Sequence, residues 1–411
     1  MNMNKPLTII ALTLLSICHS FAQSEFSQWR GPQRDGTYPE VNLLESWPSG
    51  GPRLLWKYDR LGVGYSSVAA TGSRVFTVGT IDSISHLFCF DPKGALLWKT
   101  RLGLDFMGEY SGTYSTPVIS AEMGYVVNGL GVLYCFSSSN GQIIWSKDLI
   151  REFKGIKITS GFLDNLIVDG DLIICAPGGA ERNIVALKRA SGALVWESKG
   201  TAEVSGFSSP VLADHKGQKY YIYQDTSSIL ALNVADGTLA WKHPRGCGTL
   251  VGTLFFHDGF LFNLTENGSV LLKLADGHNP PVVAWSHPEF FPLQGDPVLV
   301  GNRLYGKSKG KKYLSIDWTT GRTIGSIPTK AMVVTSVAAD GLIYVYDIDG
   351  IISLFKPVES GMETMGSFKV EGGSKYHCSH PVISGGKLYI RHDNSLFVYD
   401  VSKGNQIKAQ L

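Results

Sequence analysis

Beyond its first twenty residues this 411-residue sequence never approaches an uninterrupted apolar run of about 18, so no membrane-spanning helix is expected downstream. Charge is scarce too, at 18% Asp, Glu, Lys and Arg with a formal net charge of +2. No Lys/Arg stripe forms, which argues against nucleic acid as a partner. The one basic concentration, Lys307, Lys309, Lys311 and Lys312, reads as a solvated turn. Helix-period apolar patterning is missing as well. After residue 22 the cysteines are Cys89, Cys135, Cys175, Cys247 and Cys378, an odd set at wide spacings and therefore no disulfide framework. Cys89 and Cys135 hold the same place in Leu87-Phe88-Cys89-Phe90 and Leu133-Tyr134-Cys135-Phe136 and are expected to be small core residues on strands.

Catalytic and metal signatures are equally thin. There is no Gly-x-Ser-x-Gly elbow, no adjacent Cys pair and no Cys-x-x-Cys-His haem site. Asp347-Ile348-Asp349-Gly350 begins like a calcium loop, but Val358 stands where the bidentate Glu belongs, so an Asp-Gly turn is expected. His377 and His380, three apart on an extended segment, point to opposite faces and do not make a zinc site. No catalytic residue and no metal ligand is assigned from these patterns.

What is present is abundant Gly (47 residues), 11% aromatics and 44% hydrophobic residues, the makings of a folded all-β chain of short strands and tight turns. Residues 1–22 carry Lys5, an apolar run from Leu7 to Ile17 and Ser20-Phe21-Ala22, a signal peptide with cleavage expected after Ala22. That predicts export to the periplasm or the extracellular space. Leu15-Ser16-Ile17-Cys18 imitates a lipobox, but Ile precedes the Cys where a small residue is wanted, so no lipid is expected there.

A unit of roughly 45 residues then repeats. Its openings are Ser66-Ser67-Val68, Ser115-Thr116-Pro117, Asp164-Asn165-Leu166, Ser208-Ser209-Pro210, Gly252-Thr253-Leu254, Gly295-Asp296-Pro297, Thr335-Ser336-Val337 and Ser379-His380-Pro381. Alternating strands follow, as in Arg74-Val75-Phe76-Thr77-Val78 and Lys219-Tyr220-Tyr221-Ile222-Tyr223, so one face of each unit should pack on its neighbour. A fourth strand carries Trp98, Trp145, Trp196, Trp241 or Trp285, each expected to dock on the seam between units. Gly325 stands where the sixth Trp is due, and the seventh and eighth units also lack one. The predicted fold is an eight-bladed β-propeller of four-stranded blades over residues 52–411, preceded by an arm at 23–51 with no repeat of its own. Residues 52–58 read as a fourth strand without a preceding three, able to pair with strands around 387–400 and close the ring. The C-terminal Ile407 to Leu411 competes for that place.

The segment Leu87 to Trp98, loosely repeated through Trp145, Trp196 and Trp241, resembles the tryptophan-docking motif of pyrroloquinoline-quinone-type (PQQ-like) propellers. Trp29-Arg30-Gly31-Pro32-Gln33-Arg34-Asp35-Gly36, with Trp47-Pro48 and Leu55-Trp56, is similar to the opening segment of secreted PQQ-like repeat proteins. Members of that group are quinoprotein alcohol dehydrogenases or non-catalytic docking propellers such as the outer-membrane assembly lipoprotein. The dehydrogenase resemblance would imply PQQ with Ca²⁺ in the axial funnel and a carboxylate base, Glu109 for example, with Glu181 or Asp225 toward the metal. The docking resemblance implies a scaffold for a small molecule or protein partner, and the missing signatures favour it. The chain is expected to act as a monomer.

In a propeller the loops leading into the innermost strands converge on the axis. The funnel candidates are therefore Tyr65, Glu109, Tyr110, Tyr114, Lys157, Phe207, Gln294, Lys330, Tyr376, His377 and His380, aromatic and polar groups of the kind that line small-ligand sites.

Overall fold

The structure is a computed structural model that describes residues 26–156, 160–163, 165–200, 208–245, 252–293, 295–372 and 379–405. Its strands form eight sheets arranged as an eight-bladed β-propeller. Blades 1 to 6 each use four consecutive strands, from Ala69–Ala70 to Leu96–Leu104 in blade 1 and from Val298–Val300 to Thr323–Pro328 in blade 6. Blade 7 runs from Val334–Ala339 to Gly361–Lys369, and blade 8 takes Val382–Ser384, Lys387–His392 and Ser395–Asp400 from the C-terminal end. Each innermost strand starts at one face, called upper here, and turns into its second strand at the opposite, lower face.

Arg53–Tyr58 is the outermost strand of blade 8, antiparallel to Ser395–Asp400 with Leu54 opposite Tyr399 and Trp56 opposite Val398. The first strand in the repeat pattern thus completes the last blade and ties the two ends of the repeat region together. The competing C-terminal residues 407–411 lie outside the described residues.

The alternation expected of the strands survives only at the rim. The outermost strand of blade 1 alternates, with Leu96, Leu97, Lys99 and Arg101 exposed. The second and third strands are buried on both faces, as in Val75–Ile81 and Ser228–Asn233, because each inner sheet is pressed between two neighbours. Cys89, Cys135 and Cys175 are buried in these layers. Burial pushes the Cys89 thiol up to about 12 and that of Cys135 to about 11, which leaves both unreactive at neutral pH.

The seams use the tryptophans in a regular way. The indole N–H of Trp98 donates to the Ser139 carbonyl of blade 2 at 3.1 Å, that of Trp145 to Arg189 of blade 3 at 3.0 Å, and that of Trp196 to Val234 of blade 4 at 2.9 Å. Trp285 donates to the Trp318 carbonyl of blade 6 at 2.8 Å. Trp241 is buried among Leu261, Leu272 and Leu274 of blade 5. The turns under Trp98, Trp145, Trp196 and Trp285 each need a residue without a side chain. A Cβ on Gly141, already at φ 75°, would sit 2.5 Å from the Trp98 ring.

Two expectations about sequence gaps need correction. The eighth unit does not lack its tryptophan, because the strand that closes the ring brings Trp56, which donates to the Pro92 carbonyl of blade 1 at 3.2 Å. Lys307 is not part of a solvated turn: it is 7% exposed, and its ammonium donates to the Ser308 and Gly310 carbonyls. Asp347 does form the expected turn, its carboxylate accepting from the N–H groups of Asp349 and Ile351.

Candidate functional site

The arm runs through the centre of the ring. Ser27 exchanges backbone hydrogen bonds with Ile119 in an antiparallel bridge, 3.0 and 2.8 Å long. Thr37–Tyr38, by contrast, runs parallel to the inner strand of blade 7, opposite Ala338 and Ala339. The arm therefore climbs the axial channel from the lower face, turns over through residues 29–36 and descends again. Arg30 and Arg34 make the turn with φ of 58° and 61°, a left-handed backbone that costs a residue with a side chain about 1 kcal/mol.

Their side chains offset that cost. Arg34 donates to the Leu166 carbonyl at 2.7 Å, to Asn165 and Pro210 at 3.3 and 3.4 Å, and to the Gln28 amide oxygen at 3.3 Å. Arg30 donates to the Pro297 and Asp35 carbonyls at 2.7 and 2.9 Å and lies 3.7 Å from an Asp296 carboxylate oxygen. The Trp29 ring sits 5.7 and 5.6 Å from the two guanidinium carbons and meets the His380 ring edge-on at 5.3 Å. Tyr38 donates to the Pro381 carbonyl at 3.4 Å, and the Ser27 hydroxyl to Ala70 at 2.9 Å. Residues 27–38 of the arm thus join the inner segments of blades 1, 2, 3, 4, 6, 7 and 8. Trp29, Arg30, Arg34 and Tyr38 are all buried, so the axis at this level is filled by the chain's own side chains.

The electrostatics follow from that burial. Taking Arg34 out of water lowers its guanidinium to about 10, still fully charged at neutral pH. Burial would raise the Asp296 carboxyl, but the His380 hydrogen bond at 3.1 Å and the charge of Arg30 outweigh it and hold the group at about 2. Burial lowers His380, and the Asp296 contact only partly compensates, so this imidazole is neutral at neutral pH. The other Asp296 oxygen accepts from the Thr253 N–H of blade 5 at 3.1 Å.

Among the residues expected at the funnel, Tyr65 and Tyr114 come together at the upper face, their rings stacked 4.6 Å apart. Tyr114 donates to the Tyr110 carbonyl at 3.1 Å, and the Tyr65 carbonyl accepts from Ser379 at 2.9 Å. Glu109 is exposed on the same loop. His380 does not line an open funnel but is walled in by Trp29 and Asp296. Lys330 is exposed on the approach to blade 7, two seams from blade 1. Lys157, Phe207, Gln294, Tyr376 and His377 lie outside the described residues, as do Cys247 and Cys378. Glu181 pairs with Lys154 at 2.7 Å on the surface, and Asp225 is buried, accepting from the Ser227 and Ser228 N–H groups. Among the described residues no group of three or more His, Cys, Asp or Glu gathers as a metal would require.

Arg30, Arg34 and Asp296 were not singled out as site residues from the sequence, although all three lie in quoted motifs. No spacing rule tells which distant carbonyls a guanidinium will meet.

These features define a propeller of the PQQ-like repeat type, sealed at its rim by indoles and at its axis by an arm. The chain belongs to the PQQ_2 family, described as outer membrane protein assembly factor BamB, whose sequence profile matches residues 85–324, more than half of the chain. No curated protein matches it in sequence. Among solved structures it is similar to BamB from Moraxella catarrhalis, with 14% identity, TM-score 0.62 and coverage of 85% of this chain and 97% of that one. Quinohemoprotein alcohol dehydrogenase from Comamonas testosteroni gives 11% identity, TM-score 0.69 and coverage of 93% and 81%. A europium-containing methanol dehydrogenase gives 11%, 0.54, 90% and 89%. At such identities these likenesses speak for the fold.

Proposed function

We propose that this protein is an exported, non-catalytic propeller that serves as an interaction scaffold for a protein partner. The observation that carries this reading is the filled axis. Trp29, Arg30, Arg34 and Tyr38 occupy the channel where the innermost strands begin, and Asp296 is committed to Arg30, His380 and Thr253. Among the described residues the arm's own side chains therefore fill the axis at that level, where PQQ would have to lie, and Asp296 is already engaged on three sides. Membership of a family described as an assembly factor supports the same reading.

The partner surface is the upper face around the loop between blades 1 and 2. Leu104, Met107 and Tyr110 are exposed there, at 64%, 50% and 44%, beside the Tyr65–Tyr114 stack. A hollow of about 250 Å³ lined by Phe106, Leu130, Ile150, Arg151 and Phe162 adjoins them. Clustered aromatic and Met side chains next to a pocket are the composition of binding hot spots.

Likeness to quinohemoprotein alcohol dehydrogenases over 93% of the chain supports a second reading, a PQQ-dependent oxidoreductase using Glu109 as base. Calorimetric titration of the mature protein with PQQ and Ca²⁺, followed by dye-linked alcohol oxidation, separates the two. The scaffold reading expects no saturable heat and no turnover. It further expects a photo-cross-linker at position 107, but not one at rim position 239, to capture a discrete partner in the exporting cell. Tight one-to-one PQQ binding with turnover would overturn it.

A further inference from the structure

The seam between blades 6 and 7 is built differently from the others, and a groove opens there. Gly325 takes the tryptophan position, and the turn of blade 7 comes so close that a Cβ at Gly325 would lie 2.2 Å from the Ser360 carbonyl oxygen. In place of an indole N–H, Arg303 of blade 6 donates to the Val358 and Glu359 carbonyls of that turn. With no ring laid over the joint, a cavity of about 550 Å³ remains at the lower face, open to solvent. That volume falls within the roughly 300–1,000 Å³ of small-ligand sites.

The wall chemistry selects among ligands. Val300 from blade 6 and Pro357 and Val358 from blade 7 give apolar surface, while Asn302, Asp317 and Glu359 supply amide and carboxylate groups. The Asp317 carboxylate accepts from the Asn302 amide at 3.1 Å and from Thr320, so it is oriented before any ligand arrives. An anion would face two carboxylates across from a guanidinium already donating to two carbonyls. A compact cation would find one oriented carboxylate whose oxygens already accept three hydrogen bonds and a second, Glu359, on an exposed turn. A flat aromatic ligand would find no exposed ring, since the one aromatic in the wall, Tyr305, is fully buried. A sugar satisfies the set. Its hydroxyls donate to the exposed Glu359 carboxylate and, one at a time, to the remaining lone pair on Asp317, and its C–H face lies on Pro357 and Val358.

We infer that the groove between blades 6 and 7 is a binding site for a neutral oligosaccharide, independent of the upper-face partner surface. The test uses the full mature protein with three soluble probes, maltotriose, cellotriose and chitotriose, read by saturation-transfer NMR and then calorimetry. At least one probe is expected to receive saturation and to bind with a dissociation constant of about 1 mM or tighter. Glu359→Ala, on an exposed turn, and Val300→Trp, which fills the groove, are each expected to weaken it about tenfold or more. Melting temperature is the control, with Glu359→Ala expected to leave it unchanged so that folding and binding stay separable. No transfer to any of the three probes overturns the assignment. Equal binding by wild type and both variants overturns it as well, by placing the sugar elsewhere.

Discussion

The seams of blades 1 to 5 and those of blades 6 to 8 close the same kind of gap by different means. In the first group the indole comes from the blade's own fourth strand, as with Trp98 over Gly141. In the second group no such ring is available locally. Blade 6 brings backbone against backbone at Gly325 and Gly361 and adds Arg303. Blade 7 packs Phe368 on Tyr399 at 5.0 Å, with Trp47 of the arm edge-on to Phe368 at 5.4 Å. Blade 8 receives Trp56 on the strand that closes the ring. The repeat was free to lose its docking residue wherever the N-terminal arm, or a close approach of main chain, had taken over its job.

If the arm holds the late half of the ring together, its buried charge should matter most. Arg30→Ala leaves Asp296 buried without its counter-charge and is expected to cost about 3–5 kcal/mol in denaturant unfolding. A loss below about 1 kcal/mol would mean that the axial network is ornamental. The two kinds of indole should then weigh alike: Trp98→Ala in the first group and Trp56→Ala in the second are each expected to lose about 3 kcal/mol. A much smaller loss for Trp56 would show that strand pairing alone closes the ring. At the exceptional seam, Gly325→Ala forces a methyl into the blade 7 turn and is expected to cost about 1–3 kcal/mol, whereas the matching addition at Gly404, which has open space and no left-handed backbone, should be felt far less.

The smallest effect expected is on pH dependence. His380 is lowered in the folded state by burial, so the unfolded chain takes up its proton first. Stability from this group is complete above about pH 6.5 and falls as pH drops below that value toward the folded pKa. Asp296, held at about 2, adds a second loss only as pH falls below about 4 toward 2. Melting curves across pH 4–7.5 should show the first slope in wild type and a flatter profile in His380→Asn. An unchanged slope would move the titrating group elsewhere.

The eight openings, the tryptophans of blades 1 to 5 and the closing strand at 52–58 were all legible in the sequence, because each is a local pattern with a fixed offset. The two-sided burial of Val75–Ile81 was not, because alternation reports one sheet and not the neighbours pressed on it. Lys307 looked like surface because its neighbours in sequence are lysines, yet its ammonium caps two carbonyls of its own turn. Of the funnel residues, Tyr65 and Tyr114 do meet at the upper face, while His380 was read as lining and proved to be wall.

The sequence by itself determined the blade count, the strand order within a blade and the class of protein, since these follow from a repeating period and from which residues tolerate turns. Only the tertiary structure decided what fills the centre. Residues 29–38 carry no period, and the acceptors of Arg30 and Arg34 come from positions between five and 267 residues away, brought together by closure of the ring. A buried guanidinium must find acceptors or remain in water, and where those acceptors stand is fixed by the fold alone.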